Sequence, residues 1–243
     1  MMSRYLLFQL YAPLVSWGAP AVGEVRHTDT IPTRSALLGL LAAALGIPRE
    51  SEDELNQFNQ HYRFAILPLS SHEQWLRDYH TTQVPRENKK RRYFTRREEL
   101  TLAPQDVGTM LSSREYRCDA YYLVAVSAEP GAPVDLDNLA QALKTPVFPL
   151  YLGRKACPLA LPLAPRVLTG HLADVFRAGE RQLEQDLAFL YSPAKPVAFC
   201  YWEGEAEGVE LIESRQRNDR PLSKKRWQFG TRVQHSGKYR REA

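Results

Sequence analysis

The chain opens with Tyr5 to Leu10 (Tyr-Leu-Leu-Phe-Gln-Leu), a run of strand formers, and Pro13, Gly18 and Pro20 beyond it predict an exit into a loop. Thr33 then precedes an apolar body, Arg34 to Leu45, closed by Gly46 and Pro48, which is the order of helix cap, helix and stop. After its first turn that body is apolar almost all round, so the helix should be buried. Arg34 and Ser35 at its start are expected to stay free to face a ligand, and Arg34 with the helix N-terminus forms a candidate phosphate site. Tyr62 to Leu69 reads as a second strand that Pro68 confines to an edge or an exit. Asp119 to Ala128 is the strongest strand signal, dense in aromatic and β-branched residues. Leu136, Leu139, Ala140 and Leu143 follow at helical spacing behind Asp135, a plausible cap, and Val147 to Leu152 suits a further short strand.

Between Arg77 and about Arg117 the chain is polar and basic, with Pro85 and Pro104 and no helical period. A structureless loop of roughly forty residues is improbable in a compact domain, so part of this stretch is expected to form a hairpin arm that orders on RNA or on a partner. The element order strand, helix, strand, arm, strand, helix, strand predicts an α+β fold, a ferredoxin-like (RRM-like) βαββαβ domain with a projecting basic β-hairpin. Farther on, Leu172, Val175, Phe176, Leu183, Leu187 and Leu190 suit helical turns despite Gly179, and Val197 to Trp202 reads as a strand. With no clean linker, the expected organisation is a domain over residues 1–163 carrying the insertion at about 77–117. Residues 164–243 form a C-terminal extension packed on it and ending in a basic tail.

Composition bounds the class. In 243 residues, 44% are apolar and 25% charged, enough to bury a core without disulfide staples. The longest apolar run, Ala36 to Ile47, is shorter than the roughly 20 residues that cross a bilayer. The N-terminus lacks a small-residue cleavage site, so no signal peptide or membrane association is expected and the chain is read as cytoplasmic. Cys118, Cys157 and Cys200 are odd in number and widely spaced, which fits small buried thiols better than a disulfide framework or a metal site.

The net charge of +4 hides two opposite regions. Arg86 to Arg97 holds seven basic residues against Glu87 alone, and Arg215 to Arg241 holds ten against Asp219 alone. The remainder is acidic. Concentrated positive charge favours polyanions through counterion release. Tyr93 and Phe94 in the first run, and Trp227, Phe229 and Tyr239 in the second, add flat faces for unpaired bases, so single-stranded nucleic acid fits better than duplex.

None of the six histidines forms a metal-binding spacing with another histidine or a cysteine, and no metal or cofactor is expected. Phosphate loops, nucleophile elbows and dinucleotide fingerprints are missing as well. One catalytic possibility is metal-free RNA cleavage, in which a base takes the 2′-hydroxyl proton and a cation steadies the developing charge. Asp78-Tyr79-His80 beside the basic arm holds such groups. Arg114-Glu115-Tyr116-Arg117 and Gly153-Arg154-Lys155 are donor clusters that phosphate positioning needs without any chemistry.

Trp17-Gly18, Pro32-Thr33-Arg34-Ser35 with the leucine-rich run after it, Leu76-Arg77-Asp78-Tyr79-His80-Thr81, Arg114-Glu115-Tyr116 with Cys118-Asp119-Ala120, and Tyr151-Leu152-Gly153-Arg154-Lys155 with Cys157-Pro158-Leu159 resemble the CasD family, the 5′-handle-binding subunits of type I-E CRISPR Cascade. The likeness runs from Tyr5 to about Leu163. It implies a ferredoxin-like domain with a projecting thumb at the 5′ end of the crRNA, touching the backbone and large subunits of the complex. It also implies a binding role, since in type I-E complexes a different subunit cuts the precursor. In the related type I-C subunit the same fold cuts with tyrosine, lysine and histidine, and no adjacent Lys-His pair occurs here. By position in the matching blocks, Arg114 is expected to fix the guide backbone, with Arg34, Tyr79, His80, Arg154 and Lys155 lining the handle site. Lys89, Lys90, Arg91 and Arg92 on the thumb are expected to meet target DNA or a neighbouring subunit, the two remaining open. The competing readings are a metal-independent endoribonuclease processing CRISPR precursor RNA and an unrelated single-strand binding protein using a sheet surface.

Overall fold

The structure, a computed structural model, describes residues 3–19, 21, 23–70, 74–86, 92–187 and 196–241. In chain order the elements are β1 (Ser3–Val15), β2 (Val25–Arg26), α1 (Arg34–Leu45), α2 (Glu52–His61), β3 (Tyr62–Pro68), β4 (Gln74–Pro85), α3 (Arg96–Leu100), β5 (Val107–Ala128), α4 (Leu136–Lys144), β6 (Arg166–Gly170), α5 (Leu172–Asp186), β7 (Val197–Trp202), β8 (Glu210–Ser223) and β9 (Gln228–Arg240). They build a mixed α and β fold around one large sheet of order β6-β1-β5-β3-β7-β9-β8, antiparallel at every step, with β2 and β4 added to β5. Among the described residues no helix is long and apolar enough to cross a membrane.

Period-two alternation sends side chains to both faces of the central strands, and both faces are buried. Leu6, Phe8 and Leu10 of β1, Phe64 and Ile66 of β3, and Tyr122, Val124 and Val126 of β5 meet α1, α2 and α4. Tyr5 and Leu7, Ala65 and Leu67, and Tyr121, Leu123 and Ala125 meet α5, together with Cys200, Trp202 and Tyr239 from the later strands. Each fully buried leucine contributes roughly 1.5–3 kcal/mol. Gly179 marks where α5 lies closest to the sheet: a Cβ there would stand 2.8 Å from both Leu123 and Leu7 side chains.

Helix α1 forms as its sequence predicts. The Thr33 side chain accepts from the Ala36 N–H at 3.3 Å, and Gly46, in the left-handed region at φ 75°, closes the last turn on Ala42 and Ala43. Asp135 caps α4 by accepting from the Asn138 N–H at 2.8 Å. The arm between Arg77 and Arg117 is a two-stranded hairpin, with β4 paired to β5 from Gln74 opposite Cys118 to Pro85 opposite Val107. β1 reaches only Arg117, so about ten residues of β5 run past it, a projection of roughly 30 Å. Lys89, Lys90 and Arg91 lie outside the described residues.

Three expectations are corrected. β1 does not stop at Leu10 but runs through Pro13 to Val15. Its other neighbour, β6, pairs no farther than Leu7, and a proline is tolerated on the edge strand beyond. Val147 to Leu152 is not a strand. Pro146 and Pro149 supply no donors, and the N–H groups of Val147 and Phe148 donate to Ala44 and Ala43 carbonyls at the end of α1. The strand beside β1 is instead β6. Finally, the basic tail is not a tail: Lys224 to Arg241 forms the turn of a β8–β9 hairpin and strand β9, which pairs with β7 and extends the sheet.

Candidate nucleic-acid interface

Arg34 does not face a ligand. Its side chain is 3% exposed and saturated by this chain. Nε donates to Asn59 Oδ1 at 3.0 Å, Nη2 to the Tyr62 carbonyl at 2.9 Å and the Asn59 carbonyl at 2.5 Å, and Nη1 pairs with Glu203. The anion position at the start of α1 is also taken, because the Arg34 N–H donates to Asp219 Oδ2 at 2.8 Å. Arg232 completes this buried network, with Nε and Nη2 on Asp219 at 2.6 and 2.8 Å and Nη1 3.0 Å from Glu203. Arg217 pairs with Asp29, and Arg241 with Glu180 at 2.7 Å. The second basic run is therefore divided: Arg217, Arg232 and Arg241 hold the fold, Tyr239 is buried, Lys224 is half-buried, and the remaining cations are exposed.

The root of the arm assembles the remaining donors. β2 lies parallel to β5 with Arg26 opposite Arg114, and β4 lies on the other side with Asp78 opposite Arg114. Opposed residues share a face, so Arg26, Arg114 and Asp78 stand together there. Tyr116 and His80, each two residues along, belong to that face too. Gly153 brings in a further cation. It sits at φ 90°, and a Cβ on it would be 1.8 Å from the Ser16 carbonyl oxygen, so only glycine lets this turn lie against the end of β1. The next residue, Arg154, places its guanidinium 4.7 Å from the Tyr116 ring centroid and donates to the carbonyls of Glu115 at 3.3 Å and Arg26 at 3.2 Å. Two of its five N–H groups are thus used in positioning it. Lys155 beside it is exposed.

The opposite face of the hairpin carries Arg77, Tyr79 and Glu115. Glu115 is buried, with Arg77 Nη2 2.7 Å from Oε1 and His27 Nδ1 3.0 Å from Oε2. Burial pushes its carboxyl up, but the hydrogen bonds from His27 and Arg77 prevail and hold it below the usual carboxylate range. Tyr79 is 65% exposed. Arg117 stacks on Trp75, its guanidinium 5.0 Å from the ring centroid.

Of the expected site residues, Arg114 and His80 share one face of the arm, Arg154 is held over Tyr116 of that face with Lys155 next in the chain, Tyr79 turns to the other face, Arg92 is exposed, and Arg34 is withdrawn into the core. Sequence reading missed Arg26 and the seat that Tyr116 gives to Arg154. A two-residue strand has no periodicity to read, and only its pairing with β5 gives Arg26 a place. The face offers cations suited to sugar-phosphate, while Tyr116, itself buried with Arg154 over its ring, seats that guanidinium and presents no open ring to a base. Adjacent strand residues point to opposite faces, so Tyr79 and His80 lie on different faces of the arm.

A family model described as CRISPR-associated protein (Cas_Cas5) matches residues 5–233. The CRISPR system Cascade subunit CasD of Escherichia coli (strain K12) is 36% identical over 169 residues, covering 67% of this chain and 70% of that protein. A solved chain described as a CRISPR RNA-guided surveillance complex superposes with a TM-score of 0.65 at 26% identity, covering 97% of this chain and 90% of its own. Another, described as the crystal structure of a Cas protein, gives 0.59 at 24% identity over 97% and 95% of the two chains, a likeness of fold.

Proposed function

The chain belongs to the Cas5 family of CRISPR-associated proteins, and from that membership we propose that it is the CasD-type subunit of a Cascade surveillance complex, a non-catalytic holder of the crRNA 5′ handle. The observation that carries this reading is the convergence of Arg26, Arg114 and Arg154 around Tyr116 at the root of the arm. A guanidinium held by backbone carbonyls and seated on a buried ring, as Arg154 is, is preorganised for phosphate. The separation of Tyr79 from His80 supports binding over cleavage.

In this reading the sheet order β6-β1-β5-β3, with α1 between β1 and β3 and α4 between β5 and β6, is the ferredoxin-like βαββαβ unit, which runs to Gly170 at the end of β6, beyond the boundary at 163 expected from sequence. The β4–β5 hairpin is its thumb, and α5 with β7, β8 and β9 forms the extension packed beside it. The thumb and its neighbourhood meet the backbone and large subunits, with Arg92 on the outer arm directed to a subunit or to target DNA.

The test is retention of handle RNA by the reconstituted complex across a salt titration. Arg114→Ala is expected to weaken retention and to make log K against log salt shallower by about 0.7, the slope carried by one neutralised phosphate. Unchanged retention, or a defined cleavage product from the purified chain with repeat RNA, overturns the reading.

A further inference from the structure

The tip of the β8–β9 hairpin carries cations and rings that the handle site does not use. Ser223 pairs with Gln228 across the turn, and Trp227 takes the left-handed region at φ 55°. Trp227 is 60% exposed and Phe229 41%, their ring centroids 6.0 Å apart and tilted by 40°. The Arg49 guanidinium, from the segment before α2, lies 3.9 Å from the Trp227 centroid. Lys224 Nζ lies 5.9 Å from Trp227 and 5.7 Å from Phe229. Lys225 and Arg226 are exposed beside them.

The tip is fixed in place. Asn59 Nδ2 donates to the Pro221 carbonyl at 2.7 Å, and Glu52 accepts from the Ser223 hydroxyl and, at 3.2 Å, from the Lys225 N–H. Glu52 Oε1 therefore accepts from both a hydroxyl and an amide, and its charge is felt by Lys225 and Arg226. Among the described residues no carboxylate lies within ion-pairing distance of Arg49, Lys224, Lys225 or Arg226. Two like charges packed on one indole with no paired anion repel each other, and burial together with Arg49 lowers the Lys224 pKa. An anion laid between them would relieve that repulsion.

We propose that this tip is a second, sequence-tolerant site for an unpaired polynucleotide strand, in which Trp227 and Phe229 stack on bases while Arg49, Lys224, Lys225 and Arg226 meet phosphates. An acidic peptide would engage the cations and leave the rings bare. A duplex would hide its base faces. Only an unpaired strand uses both. The site is separate from the handle face, since β3, β7 and β9 lie between β5 and β8 in the sheet.

The full-length chain is titrated by fluorescence anisotropy with labelled fifteen-nucleotide oligo-dT, oligo-rU and a duplex of the same length, with polyglutamate as competitor. Trp227→Ala is expected to lower single-strand affinity about tenfold, Trp227→Phe to restore most of it, and handle retention in the complex to stay unchanged. Lys225→Gln with Arg226→Gln, two exposed changes that keep the turn backbone, is expected to flatten the salt dependence by about 0.7 for each phosphate that is no longer neutralised. Equal weakening for dT and rU supports the shared chemistry, and weakening for one alone identifies the strand it takes. Unchanged single-strand binding in both sets of variants overturns the proposal. So does an equal weakening of duplex binding, or polyglutamate displacing the strand more effectively than unlabelled oligo-dT.

Discussion

The backbone N–H of Arg34 donates to Asp219 Oδ2 at 2.8 Å across 185 positions of sequence, so a carboxylate from the last hairpin serves the first helix. The same carboxylate takes both Nε and Nη2 of Arg232. Replacing it removes the anion at the helix start and leaves Arg232 with less than its charge requires. Asp219→Ala is expected to destabilise the chain by about 3–5 kcal/mol in urea unfolding, and Asp219→Asn by less, since an amide oxygen still accepts the Arg34 N–H. An Ala variant within about 0.5 kcal/mol of the parent would refute the role.

Asp219 also sets an acid limit. Burial raises its pKa, but the hydrogen bonds and charge of Arg232 with the Arg34 N–H lower it further, and the balance falls below the usual aspartate value. A carboxylate with a depressed folded pKa contributes stability that is fully present above its unfolded pKa, about 3.9, and is lost as pH falls through the lower folded value. Glu115 acts in the same direction. Urea midpoints measured from pH 7 to pH 3 should fall at the acid end, and the fall should be smaller in Asp219→Asn. Parallel curves for parent and variant would place the acid sensitivity elsewhere.

Gly153→Ala tests the support of the handle face. The substitution meets both a left-handed backbone and a carbonyl oxygen at 1.8 Å, so the Leu152–Ser16 hydrogen bond of 3.1 Å must break or the turn must move. The conformational part alone costs roughly 1–2 kcal/mol. Because Arg154 is the next residue, the variant is expected to lose handle RNA affinity as well as thermal stability. Gly23→Ala, also at positive φ but with open space around it, should lose only the conformational part and keep its RNA affinity.

What is legible in the sequence is what local chemistry determines. Thr33 and Gly46 bracket α1, Asp135 starts α4, and the apolar blocks of β1, β3 and the inner half of β5 announce themselves because each is buried on both faces. The arm is legible by exclusion, as a long polar stretch too large for a loop. The β8 strand is not, because Glu210 to Asn218 is exposed almost throughout and carries no alternation to read. Helix α2 buries only Phe58 and Asn59, too little for an apolar stripe. Arg34 misleads for a different reason: the acids that bury it, Glu203 and Asp219, lie far along the chain, and no local pattern reports a distant counterion.

The two faces of the arm give the sharpest test of the handle site. Asp78 stands opposite Arg114, so His80 shares that face, while Tyr79 lies on the other with Arg77 and Glu115. If the RNA backbone runs over the Arg114 face, His80 and Arg114 touch one path and their substitutions should couple, whereas Tyr79 should act independently. In a double-mutant cycle on handle binding, Arg114→Ala with His80→Ala is expected to depart from additivity by about 0.5 kcal/mol or more, and Arg114→Ala with Tyr79→Ala to add within about 0.3–0.5 kcal/mol. The reverse pattern would move the RNA to the Glu115 face, where Arg77 and His27, held by that carboxylate, would become its partners.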